Sequence, residues 1–438
     1  MRRALALAAV LALGTAGIAA GQDQSRAPSA PAFSPFNLLS RPVPPGQAQL
    51  ERGRQLAIQG DCAACHTRDG GEAMAGGLGM NTPFGVIYTP NLTPDAQTGI
   101  GQWTPDQFYR AMHEGKDPQG RFLYPAFPYV YFTQISRADS DAILAYLKTV
   151  PAVNYTPPAN RMPFPFNIRA LVWGWNLLFF RVHDFQPDPS KSAEWNRGAF
   201  LVTGPGHCAQ CHTPSNILGA NETGKPFRGG YLDNWLAPDL TANSRTGLGG
   251  WSQGEIVEYL KTGRNPRAQA GGPMAEVVSY STSLMSDADL NAIAAYLKSV
   301  PASPGATAAS PDPGAMKRGG EIFSDACASC HLEAGKGQPR FFPPLGGDNA
   351  SQQANPGSVI HFILAGGRTA STQSRPSPLT MPSFAWKLTD QQIADVATYV
   401  RNSWGNSAAS VSAHDVARLR GKLKLGTSPP TANSGDRG

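Results

Sequence analysis

Apolar residues recur at helical spacing in three separate stretches of the chain. Ile143, Leu144 and Leu147 form the first set, Ile293, Leu297 and Val300 the second, and Ile393, Val396 and Val400 the third. This period of 3.6 residues predicts an amphipathic helix in each place. The three helices open alike: Ser136 with Asp139, Ser286 with Asp289, and Thr389 with Gln392 stand three residues apart, as a capping box requires. Tyr146, Tyr296 and Tyr399 hold matching positions, and Pro151 and Pro301 stop the first two helices, because proline cannot continue a helix. Upstream of each lies a second helix-like segment containing an Arg-Gly pair, at Arg52-Gly53, Arg197-Gly198 and Arg318-Gly319. The repetition predicts three units in series, at residues 45–150, 194–301 and 314–405. The pattern leaves linkers at 151–193 and 302–313, the second rich in Pro, Ala and Ser and expected to be flexible. It also leaves a tail at 406–438, expected to be disordered.

The beginning of the chain follows a different pattern. Arg2 and Arg3 precede an apolar run from Ala4 to Ala20, and small residues follow at Ala19, Ala20 and Gly21. This is the layout of a secretory signal peptide at residues 1–21. The apolar run is short for a spanning helix and polar, Pro-rich sequence follows it. Export places the chain in the periplasm. Over the whole 438 residues, 41% are hydrophobic and 16% charged, which suits folded domains rather than a disordered or fibrous chain. Losing Arg2 and Arg3 with the leader lowers the formal charge from +6 to +4. No run of Lys and Arg suggests nucleic-acid binding.

All six cysteines fall in one spacing, at Cys62-Ala63-Ala64-Cys65-His66, Cys208-Ala209-Gln210-Cys211-His212 and Cys327-Ala328-Ser329-Cys330-His331. An even count in an exported chain can mean disulfides, and paired Cys can mean zinc or thiol redox chemistry. The histidine after every second cysteine points elsewhere. Two thioethers, spaced by one helical turn, tether one haem, and the next residue then faces its iron. Three haem c groups are expected, with His66, His212 and His331 as proximal ligands.

An electron-transfer haem often takes methionine as its second axial ligand. In the third unit Met381 lies just before the last helix. In the second, Met274 and Met285 compete. The stretch ending at Trp103 matches the one ending at Trp251, and Met274 lies 23 residues past Trp251. The corresponding place in the first unit holds Phe127, within Tyr124-Pro125-Ala126-Phe127-Pro128-Tyr129. Met112, His113, Met80 and Met74 are the remaining candidates there, with His113 on a helix-like stretch. The first haem is therefore expected to be atypical, either weakly ligated or five-coordinate.

With these motifs in view, the chain resembles the triple-haem cytochrome c subunits of membrane-associated bacterial dehydrogenases. The segments that carry the resemblance are GDCAACHT, TPFGVIYTPNLTPD, GHCAQCHTPSN and MPSFAWKLTDQQIADVATYVRNSWGN. Two further features look closer to the cytochrome subunits of molybdenum hydroxylases, such as nicotinate or isoquinoline oxidoreductases. LYPAFPY stands where alcohol and gluconate types carry YPAMPY, and PFPFNIRALVWGWNLLFFR followed by SAEWNRGAFLV fills the first linker. The resemblance implies an all-α fold of three tandem cytochrome c domains, Met274 and Met381 as distal ligands, and no Met ligand at Phe127.

The implied function is electron relay from a dehydrogenase catalytic subunit toward quinone, an oxidase or another cytochrome. The chain would be a subunit of an oxidoreductase rather than an enzyme alone. It has no nucleotide fingerprint and no P-loop. Two alternatives stay open: a haem enzyme acting at an open first iron, and a free multihaem shuttle. The aromatic segment from Ile168 to Phe180 is either inter-domain packing or a surface for a partner or the membrane interface.

Overall fold

The structure is a computed structural model that describes residues 35–305 and 310–426. The signal-peptide segment at 1–21 lies outside the described residues. Each unit is built on a crossing of two helices: Ala48–Gln59 with Arg137–Leu147, Ala193–Thr203 with Asp287–Lys298, and Pro313–Ala326 with Asp390–Val400. The Arg-Gly pairs explain the crossing. A Cβ on Gly53 would lie 1.9 Å from the Ala142 carbonyl oxygen, and one on Gly198 would lie 1.9 Å from that of Ala292. On Gly319 the distance to the Asp395 carbonyl oxygen would be 2.2 Å. Backbone meets backbone there, which only glycine permits. The preceding arginine then clamps the partner helix, Arg52 to Asp139 at 2.8 Å, Arg197 to Asp289 at 2.7 Å and Arg318 to Asp395 at 2.7 Å.

These ion pairs change the reading of the helix caps. Ser136 and Ser286 each accept the backbone N–H three residues on. The acid at that third position, however, turns to the arginine instead of bonding back. Of the three closing helices, only that of Thr389 and Gln392 completes a reciprocal box, and there the arginine pairs one turn further along, with Asp395.

An all-α description is too simple. Each unit carries an antiparallel two-stranded hairpin: Gly79–Thr82 with Gly85–Tyr88, Arg228–Leu232 with Trp235–Asp239, and Gly367–Arg368 with Thr380–Met381. The second turns through Asp233 and Asn234, both at positive φ (44° and 65°), as a two-residue hairpin loop demands.

The units are not three equal beads. The first two share one apolar core, in which Leu56, Ile143 and Leu147 meet Leu201, Ile293 and Leu297. The third has its own core around Phe323, Leu364, Ile393 and Val396. A small apolar cluster of Ala270, Ala275, Val278 and Ala370 joins it to the second unit. Polar contacts add to that seam: Trp251 Nε1 donates to Asn349 Oδ1 at 2.8 Å, and the Trp235 ring stacks on His361 at 3.6 Å.

The described parts of the connecting segments are also more ordered than their composition suggests; residues 306–309 of the second lie outside them. Within 151–193 runs the helix Ala170–Phe179, whose Asn176 accepts from the Tyr129 hydroxyl at 2.6 Å. Its outer face is bare: Leu171, Trp173, Leu177 and Leu178 are all exposed. In the second linker, Ser303 is buried, and its N–H donates to Thr241 Oγ1 at 2.9 Å. Past residue 405, where the sequence predicts a disordered tail, the helix Ala413–Lys422 packs on the third core; residues 427–438 of that tail lie outside the described residues. Its buried Arg420 donates to Asp390 at 2.7 Å and to the carbonyls of Ala385 and Leu388. An arginine in a polar tail reads as solvated, yet here its fork satisfies one carboxylate and two chain carbonyls. Among the described residues no helix is long and apolar enough to cross a membrane.

Candidate haem-attachment sites

Each Cys-x-x-Cys-His sequence follows the opening helix of its unit and makes a short turn of its own, at Cys62–Cys65, Ala209–His212 and Ala328–His331. None of the six sulfurs is joined to another in a disulfide. Burial pushes Cys62 and Cys208 up to about 12, and Cys211 and Cys327 up to about 11. Such surroundings disfavour a thiolate and suit a neutral sulfur. A thioether is one.

The histidines share one feature that the motif does not announce. His66 Nδ1 bonds the Pro90 carbonyl at 2.8 Å, His212 Nδ1 that of Pro238 at 2.7 Å, and His331 Nδ1 that of Pro343 at 3.1 Å. A carbonyl only accepts, so each Nδ1 carries the proton and each Nε2 keeps its lone pair for a metal. Burial favours the neutral ring as well: it holds His66 down to about 4, and it lowers His212 and His331. Three neutral imidazoles fixed in one tautomer, each beside two unpaired sulfurs, fit three covalently attached haems. The acceptors recur as Pro90-Asn91-Leu92, Pro238-Asp239-Leu240 and Pro343-Pro344-Leu345. That Pro-x-Leu repeat was available in the sequence and could have identified them.

The distal candidates occupy distinct settings. Met274 is the second residue of the helix Pro273–Tyr280, half-buried against the shared core. Met381 ends the third hairpin, half-buried against the third core. Met285 is buried within the shared core. In the first unit Phe127 packs edge-on against Phe132 at 5.4 Å. His113 lies buried on the helix Pro105–Glu114, stacked on Tyr109 at 4.7 Å, with no hydrogen-bond partner for its Nδ1. Met74 is fully buried, with its N–H donating to Thr67, the neighbour of His66. That bond ties Met74 to the segment that follows His66.

The first two attachment turns face each other. Each unit's distal segment leans on the other unit's turn: Gln210 Nε2 donates to the Ala126 carbonyl at 3.4 Å, Phe132 meets the ring of His207 at 5.6 Å, and the helix Pro273–Tyr280 packs on the turn Cys62–Cys65. Cys65 and Cys211 come within Coulombic reach of one another. Between the turns sits Asp61, buried, with Oδ1 unpartnered. Its carboxyl is raised well above the usual range, first by burial and then by the charge of Glu276. Sequence reasoning misses Asp61 as a functional candidate, because its burial depends on two units meeting.

Comparison with known proteins agrees with the repeat. The cytochrome c family model matches residues 50–151, 196–301 and 316–404. Over 384 residues the chain is 44% identical to a nicotinate dehydrogenase subunit of Pseudomonas putida, covering 84% of this chain and 32% of that protein. It thus spans about a third of that relative's length. It is 39% identical to the cytochrome c subunit of the quinone-dependent alcohol dehydrogenase of Gluconobacter oxydans, covering 85% and 82% of the two chains. To the gluconate 2-dehydrogenase cytochrome c subunit of Pantoea cypripedii it is 38% identical, covering 85% and 90%.

Proposed function

The chain belongs to the cytochrome c family, and from that premise we propose that it is the electron-transfer subunit of an exported dehydrogenase, carrying three haem c groups in series. Haem supplies one-electron cycling between ferric and ferrous iron. The residues of this chain do the rest. Cys62 and Cys65, Cys208 and Cys211, and Cys327 and Cys330 tether the three groups, and His66, His212 and His331 ligate the irons. The observation that carries this reading is the Nδ1 bond from all three histidines to a proline carbonyl. Met274 and Met381 are the distal ligands of the second and third haems. The 44% identity to a nicotinate dehydrogenase subunit supports a molybdenum hydroxylase as the electron source, with quinone, an oxidase or a further cytochrome downstream.

Replacing both cysteines of any one motif with alanine is expected to lower the pyridine haemochrome content from three haems to two. Three haems in such a variant would refute the attachment assignment. Gentle extraction of the tagged chain from its native membranes should bring a dehydrogenase catalytic subunit with it.

Export places the work in the periplasm, against the outer face of the cytoplasmic membrane. The helix Ala170–Phe179 is the contact. Its bare Trp and Leu face is flanked by Arg161, Arg169 and Arg181, with no Asp or Glu between Arg161 and His183. That chemistry suits the headgroup layer of an anionic lipid surface.

A second reading rests on Phe127 and its aromatic packing. With phenylalanine where the second unit holds Met274, the first iron is open or takes His113. Cyanide or carbon monoxide should then shift the spectrum of one haem only. Turnover of a small ligand such as peroxide at that iron would make the chain a haem enzyme in its own right.

A further inference from the structure

Three arginines from separate segments converge at the third attachment turn. Arg340 and Phe341 sit on the loop that wraps His331: Gly337 N–H donates to the His331 carbonyl at 2.9 Å, and Pro343 accepts from His331 Nδ1 at 3.1 Å. Arg264 reaches across from the second unit, its Nη1 donating to the Arg340 carbonyl at 3.1 Å. Arg375, on the segment leading to Met381, lies 5.2 Å from the centre of the Phe341 ring. The guanidinium of Arg264 is lowered by burial first, and then by the positive charges of Arg375 and Arg340. Glu258 offsets this only in part. None of the three arginines forms an ion pair among the described residues. Phe341, 52% exposed, and Leu332, the residue after His331 and 39% exposed, lie at the same turn.

The arginines of the three helix crossings each meet an acid, whereas these three crowd one another. Keeping three together without an ion-pair partner costs repulsion, and the repulsion is relieved by an acidic surface. An apolar centre with a charged margin is the composition of a small, quickly exchanging contact, as electron-transfer encounters are. The loop beneath it carries the hydrogen bond of an iron ligand, so a partner seated there lies against the third haem.

We propose that Arg264, Arg340 and Arg375 with Phe341 form a docking patch for a one-electron redox protein with an acidic face, exchanging its electron with the third haem. One electron crosses. The partner loses it as the iron passes from ferric to ferrous, or gains it in the reverse direction, with no bond made and no proton moved. The proposal rests on the reading of His331 as an iron ligand.

The test uses the full-length, haem-loaded protein, reduced and then mixed in stopped flow with an anionic oxidant, ferricyanide, or a cationic one, tris(phenanthroline)cobalt(III). The phase of the third haem is the one missing from a C327A/C330A variant. R264Q/R340Q/R375Q should slow that phase with ferricyanide by about tenfold at low salt, and the difference should close at high salt. With the cobalt complex the rate should stay equal or rise. Polyglutamate should inhibit ferricyanide oxidation of the native protein and leave the variant unaffected. An unchanged ferricyanide rate, or equal slowing with both oxidants, overturns the docking patch. Three reducible haems in the variant keep the electron-relay reading standing whichever way the steering falls.

Discussion

At His66, His212 and His331 the hydrogen-bond acceptor belongs to the backbone, so no side-chain change removes it. The residues open to test are those that set charge around the turns, and Asp61 is foremost. Its carboxyl binds its proton more tightly in the folded protein than in the unfolded chain, whose value lies near 3.8. The associated stability is fully present below that value and is lost as pH rises through the folded one. Asp61→Asn should therefore lose less stability than the native protein as pH rises above 3.8, as read by denaturant unfolding at each pH. Parallel losses in the two proteins would mean that the carboxyl is not held protonated. The cysteines and histidines of this region were plain in the sequence, because covalent attachment imposes a rigid spacing. The Pro-x-Leu acceptors needed the three units to be set one above another. Asp61 was not legible at all, since adjacent letters do not record which carboxylate a second unit will cover.

Among the elements, the closing helices were foreseen from their period and their caps, while the hairpins were missed. Strands of two to five residues are too short for an alternating pattern to stand out. The Arg-Gly pairs were visible as a repeat, but their purpose is geometric. Gly198→Ala puts a methyl carbon 1.9 Å from a carbonyl oxygen. Alanine gains about 1 kcal/mol of helix propensity, whereas forcing an extra carbon into close packing costs about 1–3 kcal/mol or more. The clash wins, and the melting temperature should fall. Gly254→Ala is the control, for that glycine opens a helix with nothing within 4 Å of its missing Cβ. It should leave the melting temperature level or raise it. At the other end of the chain, Arg420→Ala strands Asp390 and two carbonyls, each worth about 1–3 kcal/mol when left unsatisfied. Thermal unfolding of the third unit should come earlier, and an unchanged melt would show that the C-terminal helix is not part of its core.

As a whole, the molecule is a fused pair with a third unit seated beside it, although its sequence reads as three equal repeats. Repeats report that units are alike, not which of them share an interior. The bare helix Ala170–Phe179 belongs to this scale too, since its inner side is fixed by Tyr129 and its outer side is left to the surroundings. Trp173→Ser with Leu177→Ser should weaken binding to vesicles containing anionic lipid by several-fold, with haem content and reduction unchanged. Equal binding of variant and native protein would point to a protein partner on that face. The facing turns carry one more consequence, for how the protein is made. Cys65 and Cys211 lie within electrostatic reach of one another across the fused pair, and the helix Pro273–Tyr280 of the second unit rests on the turn Cys62–Cys65 of the first. If these turns carry haem, it is expected to be joined to the chain before the two units close on each other, so that attachment precedes the last step of folding.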